Sequence, residues 1–164
     1  QKELQAYQKI TGSMSVMHNG EEKTLQQMSN LLESNDREIR KEAWEKIQNR
    51  RLQDKDKLNE AFDKLFKLRN TIAKNASCND FIEYIYKAKN RFDYSPKDCY
   101  AFHETIEKLI LPLQKKMYES RKKQMNLSVL RPWDVSCDAL FRAPLSPYKD
   151  GNELIEKLNN YKIL

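Results

Sequence analysis

The sequence predicts a mainly α-helical protein: long helices, one of them kinked at Pro112, a short β-hairpin within residues 9–24, and a short extended segment at residues 127–135. Three observations predict it. Gly and Pro, the residues that punctuate a chain, number only 3 and 5 in 164 residues. The composition is rich in Lys, Glu, Leu, Asn and Gln, a mixture that favours solvated helices over sheet. Apolar residues recur at three- and four-residue steps over several long segments, which is the period of a helix with one buried face.

Taken in order, residues 9–17 alternate loosely, His18-Asn19-Gly20 supplies a turn and residues 21–24 return. Asn-Gly suits a hairpin because both central positions of a type I′ turn need positive φ, although an open loop satisfies the same residues. Thr24 and Gln27 have the spacing of a capping box and open a brief helix at residues 25–32. After Asn35-Asp36, one long helix is expected over residues 36–75, with Ile39, Ala43, Ile47, Leu58, Phe62, Leu65 and Ile72 as its stripe and a polar middle. A two-helix hairpin is the alternative, but no Gly or Pro stands there to turn it.

Asp80 caps a helix over residues 81–90. Ser95-Pro96 starts the next, with Ser at the N-cap, Pro at the first helical position and Asp98 in the first turn. That helix runs to about Met125, with Cys99, His103, Ile106, Ile110, Leu113 and Met117 as one stripe. Pro112 kinks it by removing a donor and crowding the carbonyl of Lys108. Residues 127–135 read as extended chain, with Pro132 at a strand edge or end. Residues 141–150 form a loop holding Pro144 and Pro147, and Asn152 caps a last helix over residues 153–161, whose Leu154, Ile155 and Leu158 have nothing following to cover them. The start on Gln1 and the end on Ile163-Leu164 suggest a single helical segment of a larger domain, with a small hairpin subregion at residues 7–24.

The net charge of +6 arises from 30 basic and 24 acidic residues, so most charges have local partners and no specific nucleic-acid binding is expected. The densest basic cluster is Lys115, Lys116, Arg121, Lys122 and Lys123, with only Tyr118 among them to stack on a base. Cys78, Cys99 and Cys137 are odd in number and widely spaced, which suits reduced thiols in a cytoplasmic protein better than a disulfide framework. No membrane span is expected, since no apolar run is long enough.

Candidate chemistry is sparse, and no catalytic or metal-ligating residue is assigned. His103-Glu104-Thr105-Ile106-Glu107 is one residue short of the pattern in which two histidines four apart grip zinc and a glutamate activates water. With Glu107 in place of the second His, a hydrogen-bonded core histidine is the expectation. Cys99 and His103 share a face at i and i+4, but a buried thiol acting as a small apolar group fits better than a nucleophile. Asp98 reads as a cap and Glu104 as surface charge. Arg131-Pro132-Trp133-Asp134 is the most distinctive motif: it could line a peptide groove or, as is favoured, pin an extended segment to a helix. His103, Arg131, Trp133 and Asp134 are thus the residues with a groove or structural role to be located.

The order Asp93-Tyr94, Asp98-Cys99, Phe102-His103, a long amphipathic helix carrying Pro112, and Leu130-Arg131-Pro132-Trp133-Asp134 resembles the oligoendopeptidase F branch of the thimet-oligopeptidase-like zinc metallopeptidases. The resemblance extends from the Trp44-containing helix to Glu153-Leu154-Ile155. It implies a helical, usually cytosolic fold with a channel that admits short peptides, and a parent enzyme that hydrolyses them with zinc. It also implies that zinc ligands, catalytic glutamate and substrate-binding tyrosines follow in a missing C-terminal catalytic part; no position here matches them. The expectation is an upstream, channel-forming segment, inactive alone, holding no cofactor, meeting oligopeptide only within the parent, and prone to self-association through exposed apolar surface. The alternative is a complete, non-catalytic helical module that binds protein or nucleic acid.

Overall fold

The computed structural model describes residues 2–142 and 145–161, so Pro144 and the Ile163-Leu164 end lie outside the described residues. The fold is mainly α, with one two-stranded antiparallel sheet among the described residues. Helix α1 (Lys2–Gly12) occupies much of the stretch read as the first hairpin strand. The hairpin itself is shorter: β1 (Ser15–His18) pairs with β2 (Glu21–Thr24), Val16 opposite Lys23 and Met17 opposite Glu22. Its turn has the expected conformation, φ 53° at Asn19 and 80° at Gly20.

Thr24 ends the hairpin and starts α2 (Leu25–Asn30) through a complete capping box with Gln27. A 3₁₀ turn, Leu31–Glu33, leads to α3 (Arg37–Gln53), whose N-cap Asp36 accepts from the backbone N–H groups of Glu38 and Ile39. The core lies between these elements: Met28, Ala43 and Ile47 are buried, and Val16, Leu25, Leu31 and Leu32 pack on them. Inward-facing positions of α3 are Arg40, Ala43 and Ile47, while Ile39 is exposed.

The single helix expected over residues 36–75 is two helices, α3 and α4 (Lys55–Asn75), meeting end to end at Asp54. The break needs no Gly or Pro. The Asp54 N–H bonds Arg51 three residues back, tightening the last turn, and its carboxylate is held by Arg50 at 2.6 Å and Lys57 at 2.9 Å. Helix α4 packs against α1 and α5 (Phe81–Ala88), burying Ala61 and Ala73 and leaving Phe62, Phe66, Leu68 and Ile72 exposed.

Three helix ends use a left-handed residue other than glycine: Ser77 after α4, Asn90 after α5 and Asn126 after the helix that ends at Gln124, each with φ between 50° and 54°. In each case the following N–H reaches five residues back, from Cys78 to Ala73, Arg91 to Tyr86 and Leu127 to Lys122. Asp80 caps α5 as expected, and the αL turn at Asn90 ends it at Ala88.

Ser95 and Asp98 form a capping box that opens α6 (Pro96–Thr105). The helix does continue past Pro112, but by a π-helical turn, Ile106–Ile110, before α7 (Leu111–Gln124). The Leu111 N–H bonds Ile106 five residues back, and the extra residue absorbs the donor missing at Pro112. Residues 127–135 form no strand: the chain passes through a loop into a 3₁₀ turn, Pro132–Asp134. Pro132 has no N–H for a ladder, and the N–H groups of Arg131 and Asp134 are used within the turn. The last helix, α8 (Gly151–Asn160), is capped by Asp150 rather than Asn152. No helix among the described residues is long and apolar enough to cross a membrane.

Met28 is fully buried at the centre of the core. Met28→Ala is expected to destabilise the protein by about 2–5 kcal/mol through lost transfer energy and the cavity left behind. Urea unfolding checks this; a loss below about 1 kcal/mol would place the core elsewhere.

Candidate functional site

Asp134 is the organising residue of the Arg-Pro-Trp-Asp motif, and it has no exposure to solvent. The 3₁₀ turn aims its carboxylate at the first turn of α3. There Arg37 grips it with two N–H groups, Nε to Oδ1 at 2.9 Å and Nη2 to Oδ2 at 2.8 Å. Fully buried Arg40 adds Nη2 to Oδ1 at 3.1 Å, and the Arg131 backbone N–H donates to Oδ2 at 2.9 Å. Burial by itself pushes this carboxyl up, but hydrogen bonds from Arg37, the Arg131 N–H and Arg40 outweigh it and hold the group below its ordinary value.

Arg40 spends its other donors on backbone: the Trp133 carbonyl at 3.0 Å, Ser34 at 2.8 Å and Asn35 at 3.0 Å. One guanidinium thereby ties the loop before α3 to the 3₁₀ turn. Trp133 stacks edge-on against Trp44 of α3, ring centroids 5.4 Å apart, and its Nε1 finds no acceptor among the described residues. From the other side, Arg121 of α7 donates to the Asp134 carbonyl at 2.8 Å and to the Cys137 carbonyl. Thus α3 and α7 are clasped through one short turn.

Two open grooves flank α7. One, of about 660 Å³, is lined by Ile110, Leu113, Met117, Tyr118, Arg121 and Val135. The other, of about 620 Å³, lies between α7 and the loop before the turn, beside Tyr118, Lys122, Val129, Arg131 and Val135.

The structure brings together Arg131, Trp133 and Asp134, but the side-chain partners of Asp134 are on α3 and not Arg131, which is exposed. His103 belongs to a different place. It is exposed on α6 with its ring centroid 6.4 Å from that of Tyr100, so the expected core histidine is corrected to a surface one. Cys99 is not paired with His103, and the buried apolar thiol expected there is corrected to a half-buried one whose Sγ lies 2.9 Å from the Tyr86 hydroxyl. Asp98 caps α6, and Glu104 pairs with Lys108 at 3.3 Å on the surface. Arg121, counted in the basic cluster, has its donors occupied by the Asp134 and Cys137 carbonyls.

Sequence reading missed Arg37 and Arg40. A signal was present: two arginines in or next to the first turn of a helix, where the macrodipole disfavours cations, call for a nearby buried anion.

No group of three His, Cys, Asp or Glu among the described residues could hold a metal ion. Nδ1 of buried His18 lies 3.6 Å from the Glu42 carboxylate and 3.4 Å from Lys46 Nζ, and His103 stands apart on α6. The described residues therefore do not fit a zinc site.

A set of helices clasped by a buried carboxylate beside open grooves defines the class as a mainly helical fold. The sequence model of Peptidase family M3 matches residues 30–160, and the chain belongs to that family. The structure is similar to PZ peptidase A with inhibitor 2, at TM-score 0.87 and 29% identity over 94% of this chain and 27% of that one. It is similar to a protein assigned as oligoendopeptidase F, solved from crystals grown by microfluidic seeding, at TM-score 0.80 and 28% identity over 83% of this chain and 24% of that one. An oligoendopeptidase F assignment from Bacillus anthracis str. Ames shares the fold at TM-score 0.85 with 22% identity, over 94% of this chain and 28% of its own. The chain thus spans about a quarter of the length of these solved structures. No curated protein matches it.

Asp134→Asn leaves fully buried Arg40 without its anion, and a loss of about 3–5 kcal/mol at pH 7 is expected. Because the folded carboxyl titrates below its unfolded value near about 3.9, its contribution is present above that pH and lost as pH falls through the folded value. The gap between the native protein and Asp134→Asn should therefore shrink below about pH 4 in urea titrations. A gap that widens on acidification would contradict the assignment.

Proposed function

We propose that this chain is the upstream helical, channel-forming segment of a zinc-dependent oligopeptidase that cleaves short peptides, and that it is catalytically inert alone. The observation that carries this reading is the match of residues 30–160 to Peptidase family M3. Similarity to solved PZ peptidase A and oligoendopeptidase F structures, at 28–29% identity, supports the same class of reaction for the parent. The zinc and the water-activating base are assigned to a part of the parent beyond this segment, because the sequence contains no His-Glu-x-x-His.

Within the parent, the segment's role is to wall the peptide channel with α6 and α7 and to border it with the loop and turn around Arg131 and Trp133. The groove between α7 and the loop before the turn, with Val129 and Val135 beside Lys122 and Arg131, suits a peptide in extended form. A cytoplasmic location belongs to the same reading and rests on three free cysteines.

The purified chain, incubated with quenched fluorescent peptides of five to ten residues, is expected to give no cleavage that a chelator removes, whereas a parent carrying an intact zinc helix cleaves them and stops on chelation. Chelator-sensitive turnover by the 164-residue chain would overturn the inert assignment. A zinc-loaded parent that leaves short peptides intact would overturn the peptidase reading itself.

A further inference from the structure

The stretch Leu109-Ile110-Leu111-Pro112-Leu113 lacks a polar side. Successive residues step by about 100° around a helix, so Leu109, Ile110 and Leu111 face three directions and apolar side chains surround the axis. The π turn, Ile106–Ile110, takes in Leu109 and Ile110, adds about one residue to the turn and rotates the downstream helix, so Phe102 and Ile106 on one side and Leu113 and Met117 on the other do not form a single stripe. None of this surface is covered: Leu109, Ile110, Leu111, Leu113 and Met117 are each between 49% and 66% exposed. The band is also free of charge, bounded by Lys108 on one side and Lys115 on the other.

A helix that is apolar all round belongs in the interior of a larger body. A second copy of this chain would meet it as a self-complementary patch on one face and leave the opposite faces wet. Enclosure requires chain on several sides. About three quarters of PZ peptidase A, whose fold this chain shares at TM-score 0.87, lies outside the matched region and supplies that much chain.

Resting on the peptidase reading above, we propose that residues 109–113, together with Met117, are the seam by which this segment is enclosed in the remainder of a family M3 peptidase fold, and that the enclosing partner is that remainder and not a second copy. The faces around Leu109, Leu113 and Met117 become interior together.

Hydroxyl-radical footprinting reads this on unaltered side chains. It compares the isolated chain with a chimera in which this chain replaces the matched region of PZ peptidase A. Leu109, Leu113 and Met117 are expected to be modified at least about tenfold more slowly in the chimera. Equal rates in a folded chimera overturn the proposal. So does concentration-dependent protection in the isolated chain, accompanied by a dimer in light scattering, since a second copy would then be the occupant.

A second measurement stands whether or not the chimera folds. Leu109→Gln with Leu113→Gln in the isolated chain should leave the midpoint of thermal unfolding within about 2 °C, because these side chains face water there. A fall of more than about 5 °C would make them internal core and overturn the seam. The chimera also separates this inference from the one beneath it. Protection without chelator-sensitive cleavage sinks the peptidase reading and leaves the seam, and cleavage without protection does the reverse.

Discussion

A carboxylate removed from water must be met by charge and by hydrogen-bond donors, or it gives up its own charge. Asp134 is met completely, by two guanidiniums from α3 and by the N–H of Arg131. That requirement fixes more than one residue. The carboxylate can be reached by Arg37 and Arg40 together only if the Pro132–Asp134 turn sits against the start of α3. Arg40 can satisfy its remaining donors only if the Ser34 and Asn35 carbonyls are turned toward it. Arg121 then brings α7 to the same turn by its carbonyls. Long helices with few local reasons to stay together are thereby held in one arrangement. A buried ion pair of this sort is weak evidence for added stability, since its desolvation cost is large; what it does here is tie the turn to the start of α3 in one geometry.

The hydrophobic contribution is distributed differently. A small core around Met28, Ala43 and Ile47 holds the hairpin, α2 and α3 together. Farther along, α4 and the α6–α7 helix carry large apolar side chains that remain in solvent, among them Phe62, Phe66, Phe102 and Leu109. A chain spanning about a quarter of its solved relatives would leave such surfaces if they complete their burial within a larger body. The clasp at Asp134 and the open band on α7 belong together in this account: one sets the helix in place, the other is the surface it presents.

Much of the fold was legible in the sequence because it is written in local signals. Thr24 with Gln27, Asp80, and Ser95 with Asp98 each announce a helix start through side chains that reach only two or three residues. The Asn19-Gly20 turn is similarly local. The features that escaped reading depend on chain far away or on several weak preferences at once. The break at Asp54 arises from Arg50 and Lys57 converging on one carboxylate, with no breaker residue to mark it. The π turn relieves Pro112 upstream of the proline, where nothing in Ile106–Ile110 signals it. The Arg-Pro-Trp-Asp motif reads as an anchor, yet its partners lie more than ninety residues earlier, and only the awkward placement of Arg37 and Arg40 at a helix start hints at them. His103 was misplaced because apolar spacing predicts a buried face only when another part of the chain exists to bury it.

The buried clasp is most directly tested by a double-mutant cycle between Arg40 and Asp134, each replaced by leucine singly and together, with stability read from urea unfolding. Asp134→Leu strands the buried Arg40 charge and Arg40→Leu takes one of two guanidiniums from Asp134, which keeps Arg37, whereas the double change removes the Arg40–Asp134 pair, so the loss in the double variant should fall short of the summed single losses by about 2 kcal/mol or more. Additive losses, with a coupling within about 0.5 kcal/mol of zero, would mean that the two groups do not depend on each other and that α3 is held to the turn by something else.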